Sequence, residues 1–350
     1  MTSLDQPPKE APKANRAIIR RLSMDILQRT PTPAEVRSYR GYPVDKLSRR
    51  MMGTLEAMQV WLEEELLYFL LLDNFRPRTK AVKSIPKRLQ RGLITPVGAI
   101  HEIMISTGFQ LRNPGNDTFV TVVLEQGVGM RVQDRKNVRV LEAGKKMYDG
   151  YKVKFLGQHG KTQADVVKIV IQQTAFTRHL LNRYHHRIMR EPLPKTAAAR
   201  ATVDRVHKDH RQLFPVLCEW LSSPAYLAQL QKKRPRTNHQ FVRSIYMDLL
   251  ERQPSYQDFR RMRNALLSMA DPAPLRAVMA KVILDSGRAR VPEMAAGDTE
   301  GFIRDCFLRY LGRHPTQQEQ TKFTKIVKDP DITGEHLVRA LVTSPEYQYY

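Results

Sequence analysis

Cysteine is nearly missing from this chain: Cys218 and Cys306 are the only two among 350 residues, far apart and without a Cys-x-x-Cys partner. That excludes a disulfide framework or a cysteine-built zinc site as the source of stability, and fits a reducing compartment. Long apolar runs are missing too. The most apolar stretch, residues 66–72, reaches seven residues before Asp73 ends it, against the roughly 18 or more that a membrane-spanning helix needs. The opening MTSLDQPPKEAPKANR lacks an uninterrupted apolar core ahead of a cleavage site, so it reads as a disordered arm over residues 1–15 of a cytoplasmic protein. Acid is scarce as well: 35 Asp and Glu face 58 Lys and Arg, a formal charge of +23. Such a surplus points to acidic partners. An acidic protein subunit, a nucleic acid and the face of an anionic membrane all satisfy it, because long-range attraction does not distinguish them.

What the chain does have is a recurring phrase. VRSIYMDLLERQPSYQD (242–258) reads like IRDCFLRYLGRHPTQQE (303–319), and a third version lies near the N-terminus. With Arg29, Arg252 and Arg313 taken as equivalent, Arg20, Arg243 and Arg304 stand nine before, Pro31, Pro254 and Pro315 two after, and Glu35, Asp258 and Glu319 six after. Leucine stands two before each arginine, and Thr32, Ser255 or Thr316 three after. Proline breaks the preceding helix, and Thr or Ser followed by an acid three residues on opens the next one as a capping box. The phrase therefore predicts a helix, a proline corner and a capped helix, followed by a third helix ending near Ser286 or Ser344. Arg20, Arg243 and Arg304 are candidates for anion binding or for pairing with the corner acid of their own unit, and the pairing is favoured. A worn fourth copy without the proline places Phe176, Arg178 and Arg187 at the same spacing, and Ser223-Pro224-x-Tyr226 matches the SPEY ending.

From the recurring leucine, arginine and proline and that ending, residues 239–350 resemble phycobilisome-linker-type repeats and related short helical repeats of bacterial surface proteins. Over most of the chain, RRLSMDILQRTPTPAEV, RNPGNDTFVTVVLEQ and KMYDGYKVKFLGQHGKTQADVV resemble large planctomycete-type proteins of undefined function. These resemblances imply helical modules and assembly, and no reaction.

The fold class expected is mainly α, with tandem short helical repeat modules around a buried helix and a small irregular or β-hairpin segment near 132–160. The buried helix is TLEAMQVWLEEELLYFLLLD, apolar on more than one stripe. VRV at 138–140 and YKVKF at 151–155 are the candidate hairpin partners, a helix is favoured from Asn116, and Thr162 with Asp165 opens a long helix to about Met189. Composition shifts divide the chain into an N-terminal helical domain (16–160), a helical module (161–230), a basic linker (231–238) and two repeats (239–292, 293–350).

Candidate anion- or partner-binding residues are Arg76, Arg78, Lys80, Lys83, Lys87, Arg88 and Arg91 in an exposed basic loop and short helix (76–91), and Lys232, Lys233, Arg234 and Arg236 in the linker. Tyr347, Tyr349 and Tyr350 form a candidate docking tail. No catalytic residue, metal site or cofactor is expected. Gly160-Lys161-Thr162 resembles the end of a phosphate-binding loop, but Phe155 stands where its first glycine belongs. His185, His186, His207 and His210 lack a completing set of ligands, Ser222 and Ser223 lie in no nucleophile motif, and Glu63, Glu64 and Glu65 read as a charged helix stripe. The function expected is a non-enzymatic scaffold or linker protein organising a larger assembly through acidic partner surfaces. A nucleic-acid-binding protein and an enzyme whose site forms only in three dimensions are the alternatives.

Overall fold

The computed structural model describes residues 12–70, 79–294, 297–327, 329 and 331–350. Arg76 and Arg78, and the arm up to residue 11, lie outside the described residues. Those described are mainly α-helical, about twenty helices with one two-stranded antiparallel hairpin. None of these helices is long and apolar enough to cross a membrane. The chain divides into two compact units, one formed by Arg49–Tyr226 and the other by the flanking pieces up to Ser48 and from Leu227 to Tyr350.

In the Arg49–Tyr226 unit, Leu55–Leu70 is the expected core helix and buries Trp61, Leu66 and Phe69. Asn116–Val128 is helical, as expected. The hairpin pairs Val153–Phe155 with Gln158–Gly160, Val153 opposite Gly160. Residues 138–140 are not its partner, for they begin the Val138–Tyr148 helix. Leu156 and Gly157 both have positive φ, the geometry of a two-residue hairpin turn, so the strand closes on its immediate neighbour. Gly144 in that helix is required by close approach, since a Cβ there would lie 2.5 Å from Val120 and 3.1 Å from Phe155. The long helix expected after Thr162 is two, Gln163–Ile171 and Thr174–Met189. In the basic segment the short helix is Lys80–Gln90: Thr79 accepts from the Val82 amide, and the helix buries Val82, Ile85, Pro86 and Leu89.

The other unit gathers all three full copies of the recurring phrase. The helices Arg16–Ile26 and Asn238–Leu250, and Thr299–Cys306 with its π-helical extension Phe307–Leu311, bring the phrase to its corner. Immediately before the corner arginine the backbone turns left-handed each time, at Gln28 (φ 53°), Glu251 (φ 52°) and Gly312 (φ 75°). The proline follows, and Thr32, Ser255 and Thr316 then accept from the amides of Glu35, Asp258 and Glu319 at 3.1–3.2 Å, opening the next helix. Phe241, Ile245, Leu249, Phe302, Phe307, Tyr310, Leu341 and Tyr347 form a core shared by the helices of the second and third copies. Fully burying side chains of this size contributes about 1.5–3 kcal/mol each.

Candidate functional site: corner arginines and an exposed basic helix

The corner arginines are structural ties. Arg29 makes two bonds to the Glu35 carboxylate at 2.7 and 2.8 Å, and Arg313 two to Glu319, both at 2.7 Å. Arg313 also meets Glu346. Pairing holds these acids low: burial opposes the Glu35 charge but Arg29 outweighs it, and Arg313 draws Glu319 down to about 2. The middle corner differs. Arg252 donates to the Gln253 carbonyl at 3.2 Å and stacks on Tyr246, and Asp258, one methylene shorter than Glu, bonds Ser255.

The arginines nine residues upstream do not pair with their own corner acid, as the spacing had suggested. Arg20 is buried and donates to the carbonyls of Arg309 and Tyr310 at 2.7 and 2.8 Å, capping the third copy's first helix. Arg309 in turn reaches the Asp248 carbonyl (2.8 Å) and Glu251 (3.0 Å) of the second copy. Arg243 lies over Phe259 and reaches Gln28 of the first copy at 3.4 Å. Asp248 joins the set, accepting from Thr30 and Tyr347 hydroxyls, each at 2.7 Å. Arg304 is exposed.

Two further expectations change. The linker is no free basic strand: Arg234 and Arg236 are buried, and residues 234–236 pair in antiparallel fashion with 348–350, through Arg234 and Tyr350 and through the Arg236 amide and Gln348 carbonyl. Arg234 donates to Asp25 at 3.1 Å, and Lys233 to Glu346 at 2.9 Å. The aromatic end is correspondingly not a free tail. Tyr347 is wholly buried, the Tyr350 hydroxyl bonds Asp25 at 2.8 Å, and Tyr349 alone of the three is exposed.

Four exposed basic side chains lie on the Lys80–Gln90 helix and its cap. Lys80, Lys83, Lys87 and Arg91 recur at three- or four-residue steps, all exposed and opposite the buried Val82–Leu89 face. That spacing lines them along one face for about 17 Å at 1.5 Å per residue. None of the four side chains makes an ion pair with a described residue. Arg88, between the stripe and the core, pairs with both oxygens of Glu102 at 2.7 and 2.8 Å. Lys232 is also exposed.

Residue types alone missed a buried network in the Arg49–Tyr226 unit. Glu65 is fully buried, unlike the solvated stripe expected of Glu63–Glu65, and accepts from Tyr184 and, at 2.6 Å, from Arg183. The Tyr184 oxygen accepts from Trp61 at 2.6 Å, and Arg183 stacks 4.0 Å from the Tyr68 ring centre. Burial works against the Arg183 charge, yet Glu65 outweighs it and keeps the guanidinium protonated, while burial and Glu65 push Tyr184 well above its usual range. The pair is thus a fixed ion pair beside a neutral phenol, suited to holding two helices together.

Elsewhere, the amides of Lys161 and Thr162 both donate to Asp165, at 2.8 and 3.0 Å, which occupies groups a phosphate-binding loop would offer. His207 meets Thr177 and His185 meets the Glu191 carbonyl. No group of three or more His, Cys, Asp or Glu converges among the described residues. Both cysteines are buried, and burial pushes the Cys306 thiol up to about 12. No protein-family model, curated protein or solved structure matches the chain.

Proposed function

We propose that this protein is a non-enzymatic helical scaffold or linker that docks acidic partner surfaces on the basic stripe of its Lys80–Gln90 helix. The observation that carries the reading is the contrast in how the cations are used. Arg20, Arg29, Arg234 and Arg313 are spent on internal carbonyls and carboxylates, whereas Lys80, Lys83, Lys87 and Arg91 are aligned and exposed on a helix whose other face is anchored. A rigid row of cations, none paired with a described residue, favours a partner carrying a matching row of acids, and sets its orientation and association rate.

The tandem-module reading belongs to the same proposal. A left-handed residue, a corner arginine, a proline and a side-chain cap recur three times, and contacts run from the first copy to the third, the third to the second and the second to the first. This supports short helical modules of the linker-repeat kind, closed on one another.

A pull-down of the full-length protein, nuclease-treated and untreated in parallel, tests the function. The scaffold reading expects one stoichiometric partner set that survives nuclease. A set that vanishes with nuclease makes the stripe a phosphate-binding surface and replaces this reading by nucleic-acid binding.

A further inference from the structure

A cleft of about 480 Å³ lies in the Arg49–Tyr226 unit, between the end of the Asn116–Val128 helix, the Thr174–Met189 helix and the segment entering the Ala197–Lys208 helix. That volume lies in the ~300–1,000 Å³ range of small-molecule sites. Its apolar lining is aliphatic and includes Val128, Leu193, Ala199 and Val203. Its charged lining among the described residues is of one sign: Arg178, Lys195 and Arg200 are present and no carboxylate is.

Three neighbouring arginines contrast with these cations. Arg183, Arg187 and Arg205, on the same two helices, pair with Glu65, Glu64 and Glu219. The side chains of Arg178, Lys195 and Arg200 are exposed and bond no described residue. Sequence does not force the difference, since Arg178 and Arg183 lie within one helix. The floor is held in place: Asn182 Oδ1 accepts from the Leu193 amide at 2.8 Å, leaving its NH2 to donate. His179 is anchored through Nε2 to the Tyr68 hydroxyl at 3.0 Å. Gly129 stands against that ring, where a Cβ would come within 2.7 Å of Nδ1.

We infer that this cleft binds a medium-chain aliphatic carboxylate, its tail on Val128, Leu193, Ala199 and Val203 and its carboxylate among Arg178, Lys195 and Arg200. Each half of the ligand answers one half of the lining. The tail removes aliphatic surface from water, and the head supplies the negative charge that three cations share, with arginine offering a two-pronged match to a carboxylate. This inference is independent of the docking stripe.

The test is calorimetric titration of the full-length protein with octanoate, octanol and acetate. Octanoate is expected to bind saturably at one site per chain, with octanol and acetate at least tenfold weaker. The Arg178→Gln/Arg200→Gln variant is expected to lose at least tenfold in octanoate affinity while its ligand-free melting temperature stays unchanged, because neither side chain bonds a described residue. Equal binding of octanol denies the cations a role, equal binding of acetate denies the aliphatic floor one, and a variant that binds like the parent places the site elsewhere. Any of these three overturns the inference.

Discussion

Gly312→Ala is the sharpest perturbation of the corner geometry. Gly312 sits at φ 75°, and a Cβ there would lie 2.8 Å from Arg20 Cδ and 3.0 Å from its Nε. The left-handed backbone alone costs a residue with a side chain roughly 1–2 kcal/mol. The displaced Arg20 then gives up two bonds, to the carbonyls of Arg309 and Tyr310, at about 0.5–1.5 kcal/mol each. The expected loss is about 2–5 kcal/mol. Trp61 and Trp220 are the only tryptophans and both lie in the Arg49–Tyr226 unit, so urea unfolding is followed by two probes. Circular dichroism reports helix throughout and tryptophan fluorescence reports that unit. Gly312→Ala should shift the dichroism transition to lower urea and leave the fluorescence transition in place. In an Arg20→Met background its cost should shrink toward the backbone share alone, because the clash partner is gone. A loss below about 0.5 kcal/mol, well under the strain expected for a left-handed alanine, or full additivity with Arg20→Met, refutes the reasoning.

Two other outcomes follow from the charges. Glu319 is depressed to about 2 by Arg313; a group with a lowered folded pKa contributes stability above its unfolded value, near 4.5, that is lost as pH falls toward 2. The urea midpoint of the native protein should therefore fall more steeply over that window than that of Glu319→Gln, which starts lower at neutral pH; parallel curves would contradict the pairing. Arg236 is buried against Tyr347, 4.0 Å from its ring centre, with none of its guanidinium nitrogens hydrogen-bonded, and it repels Arg20 and Arg276, both held near 10 by burial and by its charge. Arg236→Met should leave stability unchanged or raise it by about 1–3 kcal/mol, as when buried charges give way to apolar side chains; a loss of about 3 kcal/mol or more, the range in which breaking a well-made buried pair falls, would show that the charge is well compensated.

The corners were legible because their signals are local: proline stops one helix, and Thr or Ser with an acid three residues on starts the next. The left-handed residue was not, since glutamine and glutamate occupy two of its three positions where glycine would have announced it. Arg20 was visible as a recurring residue, but its acceptors lie 289 and 290 positions away, beyond any spacing rule. The same distance hid the joining of the N-terminal copy to the C-terminal pair. Glu65 was misread through its company, for neighbouring residues on a helix point about 100° apart and only one of Glu63–Glu65 reaches the buried face. The overlooked signal was position, four residues after Trp61 and four before Phe69. In the basic segment, residue type marked the cations but the apolar face Val82–Leu89, read with helical period, is what separates the exposed stripe from Arg88. The linker failed for the opposite reason, because its arginines are buried by backbone pairing with residues 348–350, which composition does not encode.

The most direct test of the docking claim is charge reversal of the stripe, Lys80→Glu/Lys83→Glu/Lys87→Glu/Arg91→Glu, in nuclease-treated pull-downs matched to the native protein and resolved by native mass spectrometry. The four side chains bond no described residue, so the variant should fold as the native protein does by circular dichroism and lose the stoichiometric complex. Recovery of the same complex from the folded variant would contradict the claim that this face holds the partner.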